Sequence, residues 1–238
     1  MKNKMPADDR LLIFMHIPKT GGMTLKRIIK RQYPDNMILK DITDGKIQEF
    51  KEKLEERDFK FVFGHLSFGL HLHTTKQCTY ITMLREPIDR VISMYYYVLG
   101  KEKHPLHGIV KGLSFEEFLD HPDLKNHTNN MQTKRALGKN SLITTDLELA
   151  KLNLLNHFTV IGITEMFDDS IKLMKEKLNW NDISYVRKNK TKKRLSKDEL
   201  GQRIISKITE NNELDIELYN WAKNKLEEDL KSSSDSFK

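Results

Sequence analysis

The stretch formed by residues 11–30 constrains the fold more than any other part of the chain. It opens with an apolar run of strand length, residues 11–17, whose composition suits a buried parallel strand. Pro18 ends this run. Gly21 and Gly22 follow, and they supply a backbone that can turn tightly and approach a ligand without side chains in the way.

A helix is predicted directly after these glycines. Thr24 is placed to cap or open it, and its apolar positions begin at Leu25. A strand, a glycine-bearing loop with Lys19 and Thr20, and a helix N-terminus together predict an anion site, because backbone N–H groups and the positive helix end point to the same place. The expected ligand is a phosphate, although the standard GxxxxGK[ST] loop has its lysine after the glycines rather than before them.

Three further strands are predicted at residues 59–64, 79–84 and 158–163, and helical patterns lie between them. This alternation indicates an α/β fold, P-loop-like, with a mainly parallel sheet flanked by helices on both faces. A length of 238 residues suits one such domain. We therefore expect a single domain over residues 1–238, with residues 1–10 and 231–238 flexible.

Polar side chains follow each of the four predicted strands: Lys19, His65, Arg85 and Glu165. In parallel sheets ligands bind beyond the carboxyl ends of the strands. The four side chains are therefore expected to meet along one edge of the sheet.

Composition limits the partners and the compartment. The formal net charge of +7 favours anionic partners. No apolar run approaches the roughly 20 residues that span a bilayer, and the N-terminus lacks the apolar core of a signal peptide. Cys78 is the only cysteine, which excludes an internal disulfide and fits a reducing compartment. We expect a cytoplasmic protein without a membrane anchor; the oligomeric state stays open.

The string HIPKTGGMTL resembles the 5′-phosphosulfate loop of sulfotransferases that use 3′-phosphoadenosine 5′-phosphosulfate (PAPS), notably the polysaccharide 2-O-sulfotransferase branch and its bacterial relatives. The resemblance implies that PAPS is the sulfuryl donor and that no metal is needed. It also implies that Lys19 neutralises charge developing on the oxygen that bridges phosphate and sulfur. The implied loop ligands are Lys19, Thr20, Gly21, Gly22, Met23 and Thr24.

The string LREPIDRVISMYY resembles the 3′-phosphate motif of the same family, with Arg85 and Ser93 as the implied phosphate ligands. The forked guanidinium of an arginine matches phosphate oxygens in pairs. Two alternatives remain open. Arg85 could form an ordinary ion pair with Asp89, and Ser93 could bond its own helix backbone.

The string FGHLSF resembles the segment that carries the catalytic histidine of the 2-O-sulfotransferase branch, which makes His65 the implied general base. That branch often has two histidines around the glycine, and here Phe63 replaces the first. His71, His73 and Glu165 stay as alternatives.

Two later strings extend the resemblance. NNMQTKRALG is similar to a family segment near the acceptor cleft and implies that Gln132 and Arg135 lie on its edge. YVRKNKTKKR is similar to the basic loop that closes over PAPS, with Lys190 and Thr191 as the matching positions. A solvated or disordered loop is the alternative for the second string.

The sequence thus predicts a PAPS-dependent sulfotransferase that acts on an acceptor hydroxyl, of a carbohydrate by resemblance, through in-line displacement. A P-loop kinase or NTPase is the first alternative, but it would need a lysine after the glycines and an acidic Mg²⁺ ligand at a strand end. A basic nucleic-acid-binding module is the second alternative, but no known reader motif is present. Neither a metal nor a nucleic acid is expected to bind.

Overall fold

A five-stranded sheet forms the centre of the protein. The computed structural model describes residues 9–186 and 194–235. The strands lie in the order β2-β3-β1-β4-β5, and each neighbouring pair is parallel. Their bounds are β1 Leu11–Met15, β2 Ile38–Thr43, β3 Phe61–His65, β4 Cys78–Leu84 and β5 Phe158–Ile163.

Eleven α-helices occur within the described residues, and short 3-10 turns connect several of them. Their bounds are α1 Gly22–Ile29, α2 Ile47–Glu56, α3 Pro87–Leu99, α4 His107–Val110, α5 Phe115–Asp120, α6 Lys125–Thr128, α7 Met131–Leu137, α8 Leu147–His157, α9 Phe167–Leu178, α10 Gln202–Glu210 and α11 Glu213–Asp235. No helix in these ranges is both long and apolar enough to span a membrane.

Helices cover both faces of the sheet. From β1 to β2 the chain moves two positions in one direction, and from β2 to β3 it moves one position back. Because parallel crossovers are right-handed, α1 and α2 lie on opposite faces. All five residues of β1 are accordingly buried. The predicted P-loop-like α/β fold is confirmed.

Strand β2 has no counterpart among the predicted strands. It forms the edge of the sheet, and its register against β3 shifts between Leu39 and Ile42, with Asp41 in the left-handed region at φ 61°. Such a bulge breaks the alternation of apolar and polar residues that identifies a strand. The pairing is nevertheless tight: a Cβ on Gly64 would lie 1.8 Å from the Ile42 carbonyl oxygen.

A buried polar cluster joins α7 to the C-terminal helices. Asp215 of α11 is fully buried and accepts hydrogen bonds from the backbone N–H groups of Gln132 (3.0 Å) and Thr133 (2.7 Å). It also accepts one from the Thr133 hydroxyl at 2.8 Å. A carboxylate at the N-terminus of a helix satisfies unpaired donors and favourably opposes the helix dipole. Helix α7 is therefore capped by a residue more than 80 positions away.

The C-terminal end differs from the expectation in one respect. Helix α11 continues to Asp235, so residues 231–235, expected to be flexible, are helical.

Candidate active site

The loop between β1 and α1 turns sharply. Lys19 and Gly21 both have a left-handed backbone, with φ 74° and 81°. The buried hydroxyl of Thr20 donates to the Ile17 carbonyl at 2.8 Å, which closes the turn. The loop therefore ends with its backbone directed into the start of α1 at Gly22.

The start of α1 corrects the expected role of Thr24. Gly21 occupies the N-cap position without a side-chain cap, and the helix begins at Gly22. Thr24 lies within the first turn, where its N–H donates to the Gly21 carbonyl at 3.0 Å. Met23 is exposed. The N-terminal end of α1 thus remains without a side-chain cap beside the loop, an arrangement that suits an anion.

Lys19 is a partly desolvated cation. Its Nζ lies 3.7 Å from the centroid of the Tyr97 ring. Burial, followed by the positive charges of Arg85, Arg194 and Lys101, lowers the pKa of Lys19 to about 8. A bound anion would relieve this repulsion.

Arg85 follows β4 and reaches the loop. Its Nη1 donates to the Lys19 carbonyl at 3.0 Å, and its Nη2 lies 3.6 Å from an Asp89 oxygen. The buried Nε has no hydrogen-bond acceptor among the described residues; the nearest carboxylate oxygen, on Glu165, is 3.9 Å away. The ion pair between Arg85 and Asp89 is thus present, but its N–O distance is long, and the Nε–H of Arg85 makes no hydrogen bond to the described residues.

Ser93 lies on the face of α3 that looks toward this loop. Asp89, Ser93 and Tyr97 are spaced four residues apart and therefore share one helix face. The first of the three contacts Arg85 and the last contacts Lys19. Ser93 is buried and lies between Asp89 and Tyr97 on this face, which is the face of α3 that contacts both cations.

Gln132 takes a different position from the expected one. It is fully buried, and its side-chain amide accepts from the Arg85 N–H and donates to the Arg85 carbonyl, both at 2.9 Å. This reciprocal pair fixes the backbone of Arg85. The Gln132 amide is therefore directed at the β4 end and not at a solvent-facing edge.

His65 ends β3 and is exposed to solvent. Its ring centroid lies 4.6 Å from that of His16. Desolvation by the surrounding protein atoms lowers its pKa most, and the charges of Arg135 and Lys26 act in the same direction, while a hydrogen bond to the His16 backbone and the charge of Asp41 partly oppose this shift. At neutral pH the ring is therefore mainly unprotonated, the form that a general base needs.

Arg135 lies beside the segment that follows His65. Its Nη1 donates to Asp44 Oδ2 at 2.6 Å and to Ser67 Oγ at 3.0 Å. Its backbone carbonyl accepts from the Phe68 N–H at 2.8 Å. The structure thus brings Arg135 to the His65 segment and ties α7 to it.

The alternative bases make other contacts. His71 lies in the 3-10 turn Leu70–His73, its Nδ1 is 3.0 Å from the Tyr80 hydroxyl, and its ring packs on that of His157. Glu165 accepts from the Tyr219 hydroxyl at 3.1 Å and lies 3.3 Å from the Glu86 N–H. Both side chains are held by structural partners.

The predicted basic loop lies largely outside the described residues, and this includes Lys190 and Thr191. Of the residues that follow this segment, Arg194 has its Nη2 3.2 Å from Asp89 Oδ1. Lys197 pairs with Glu86 at 2.5 Å. Both side chains are thus bound to the start of α3, next to Arg85.

Sequence reasoning gave no role to His16, although it opens the HIPKTGGMTL string. It is buried between the rings of Phe14, Phe63 and His65. A histidine directly after a buried strand and before an anion-binding loop was the available signal. Across the described parts of the chain, no group of three or more metal-ligating side chains occurs.

Together these features define an α/β protein that presents a glycine-bearing loop before an uncapped helix start, two cations and a histidine at the carboxyl edge of its sheet. Comparison with known sequences completes the assignment: the chain belongs to the sulfotransferase family, which matches residues 4–222. The family resemblance of the sequence motifs is confirmed.

The relatives include two kinds of polysaccharide enzyme. Human heparan-sulfate 6-O-sulfotransferase 2 is 28% identical over 277 aligned positions, covering 90% of this chain and 44% of that protein. Heparan sulfate 2-O-sulfotransferase 1 of Xenopus laevis is 26% identical over 208, covering 72% and 55%. The chain spans about half the length of the curated relatives it matches. Among solved structures, mouse sulfotransferase SULT7A1 complexed with PAP is similar at a TM-score of 0.47 and 17% identity, covering 87% of this chain and 66% of that one.

Proposed function

We propose that this protein transfers a sulfuryl group from PAPS to a hydroxyl group of a carbohydrate acceptor. The observation that carries the proposal is the contact between the two predicted phosphate-binding regions: Arg85 Nη1 donates to the Lys19 carbonyl at 3.0 Å. This contact supports a shared anion site, because it brings the guanidinium at the β4 end against the backbone of the loop that carries Lys19.

The residues present fit such a nucleotide. The uncapped start of α1 offers backbone N–H groups, Lys19 is a desolvated cation, and Arg85 has an unused buried Nε–H. In our proposal the loop residues 19–24 hold the 5′-phosphosulfate, and Arg85 with Ser93 holds the 3′-phosphate. PAPS, when bound, supplies the activated sulfuryl group. Lys190 and Thr191 are retained as nucleotide ligands in the proposal.

The protein's own groups then do three things. Lys19 places positive charge where the leaving phosphate gains negative charge. His65, neutral at pH 7, accepts the proton of the acceptor hydroxyl on a ring nitrogen. Gln132 holds the Arg85 backbone, which keeps the cation in position without contacting the reacting atoms.

The acceptor class is proposed from overall charge and from the relatives. Near His65, Arg135 and Lys26 each pair with a carboxylate, of Asp44 and Asp41 respectively. The formal net charge of +7 favours an acidic polysaccharide, and the relatives are named for heparan sulfate. We also place the activity in the cytoplasm, in keeping with a single cysteine.

The first experiment measures thermal unfolding with adenosine 3′,5′-bisphosphate in EDTA and, separately, with ATP and Mg²⁺. A ligand at about 100 times its Kd adds about 2.7 kcal/mol, which should raise the Tm by about 5–10 °C. Arg85→Ala should lose the shift. Arg57→Ala, which changes an exposed arginine at the end of α2, should keep it. A shift with Mg-ATP alone, or with neither ligand, would contradict the proposal.

The second experiment tests the acceptor. The protein is incubated with radiolabelled PAPS and either a desulfated heparan-type polysaccharide or a simple phenol. Label on the polysaccharide supports the proposal. Label on the phenol alone would retain the nucleotide assignment and overturn the carbohydrate acceptor.

A further inference from the structure

The side chain of His16 contacts both the proposed base, His65, and the loop that precedes α1. It follows β1 directly and is buried, with 6% of its surface exposed. Its ring centroid lies 4.6 Å from that of His65 and 5.4 Å from that of Phe63, with interplanar angles of 32° and 24°. His65 therefore has a second imidazole along one face of its ring.

The same ring lies against the nucleotide loop. A Cβ placed on Gly22 would be 1.9 Å from His16 Nε2, so the imidazole occupies the space above the first residue of α1. A single rigid side chain thus contacts both the start of the loop helix and the proposed base.

We propose that His16 is a positioning residue, whose neutral ring supports the face of His65 and holds it at a fixed offset from the nucleotide loop. This inference rests on the proposed function for the role of His65 as the base. It adds a residue that touches neither the nucleotide nor the acceptor.

The charges around His16 and His65 favour these separate roles, with His16 neutral and His65 accepting the proton. His65 faces Arg135 from α7, Asp41 from β2 and Lys26 from α1; His16 faces Lys26, Lys19 and His65. Burial, with these cations, lowers the pKa of His16 to about 3. His16 therefore stays neutral when His65 takes a proton, and its π face can stabilise the resulting imidazolium.

The bonding of His16 is unusual for a residue that only fills space. Its buried Nδ1 has no hydrogen-bond partner within the described part of the chain. An unpaired buried polar atom destabilises a fold, and an aliphatic side chain of similar size would avoid that cost. A histidine at this position is explained if its ring is needed beside His65.

The test compares His16→Leu, which keeps the bulk and removes the ring, with Phe14→Leu. Phe14 is the matched control because it is a buried ring on β1, two residues before His16, and packs on His16 and Phe63. The pKa of His65 is measured by NMR titration of its ring protons, assigned with His65→Gln, and the acidic limb of kcat/KM is measured on the full-length chain.

We expect His16→Leu to lower the pKa of His65 by about half a unit, because the imidazolium loses its π partner. The acidic limb of the kcat/KM profile should move by the same amount. Phe14→Leu should leave the pKa of His65 and this acidic limb unchanged. If His16→Leu does not fold, His16→Asn provides the same comparison.

Equal His65 pKa values in the parent, His16→Leu and Phe14→Leu would overturn the inference, as would an equal shift in both variants. The NMR measurement does not depend on turnover. A parent chain that fails to transfer sulfuryl groups would therefore overturn the proposed function, while the titration would still decide the His16–His65 relationship.

Discussion

Arg85 donates a hydrogen bond from Nη1 to the backbone carbonyl of Lys19, across 3.0 Å. The bond runs from the end of β4 to a loop residue in the left-handed conformation. It fixes the direction of the Lys19 backbone and leaves the lysine ammonium over the Tyr97 ring. Loop shape and charge placement therefore depend on each other.

The first prediction concerns pH and nucleotide affinity. The pKa of Lys19 is lowered to about 8, and binding an anion favours its charged form. As pH rises above 8, the free protein loses that proton, and binding must restore it. Calorimetry with adenosine 3′,5′-bisphosphate should therefore show affinity falling by about tenfold between pH 7 and 9.

Lys19→Arg is the control for this prediction, because a guanidinium stays protonated across the window. Its affinity should be nearly independent of pH from 7 to 9. A parent profile as flat as that of the arginine variant would refute the prediction.

The second prediction concerns Gln132→Leu. The change leaves the Arg85 N–H and carbonyl without their partners. The free energy of unfolding in urea should fall by about 2–4 kcal/mol, since each buried unpaired group costs about 1–3 kcal/mol. Bisphosphate affinity should fall as well, because Arg85 loses its fixed backbone.

Gln48→Leu, on the exposed side of α2, is the control and should change stability by less than about 0.5 kcal/mol. Equal losses of stability in Gln132→Leu and Gln48→Leu would argue against the hydrogen-bonding role of Gln132.

The third prediction concerns Gly22→Ala. The new methyl group would overlap the His16 ring, so the ring must move. We expect a loss of about 1–3 kcal/mol in stability, with altered NMR signals for the His65 ring. Gly45→Ala is the control, since a Cβ at that position meets no atom within 4 Å. Unchanged His65 signals in Gly22→Ala would show that the two rings are not coupled.

The fourth prediction concerns the base. His65→Asn should lower kcat by about 10²–10⁴-fold and leave bisphosphate binding intact. Since desolvation holds the pKa of His65 below the ordinary value of a histidine, the acidic limb of the parent's activity should lie at a lower pH than an ordinary histidine would give. His73→Asn, in the neighbouring turn, should behave like the parent. A large loss in His73→Asn with none in His65→Asn would reassign the base.

Much of the fold could be predicted from sequence because its signals are local. The run at residues 11–15 is apolar throughout, which a strand buried on both faces requires. The glycines after it allow the left-handed turn seen at Gly21. Lys19, His65 and Arg85 could be placed at one edge because parallel strands end there.

Other parts depend on distant partners. Strand β2 is held by an irregular pairing at the sheet edge, so its own residues do not alternate. The position of Gln132 depends on Asp215, which caps helix α7. Asp215 lies 83 residues after Gln132 in the sequence. The proximity of His16 and His65 depends on the pairing of β1 with β3. Local patterns carry no information about such contacts.

The distant cap on α7 has a consequence for synthesis. A ribosome releases β5 well before α11, so the sheet can form while Asp215 is still inside the exit tunnel or not yet made. During that interval α7 lacks its cap, and Gln132 cannot yet secure Arg85. The nascent chain should therefore assemble the proposed nucleotide site only as translation finishes, and a chain released early should fail to capture the nucleotide.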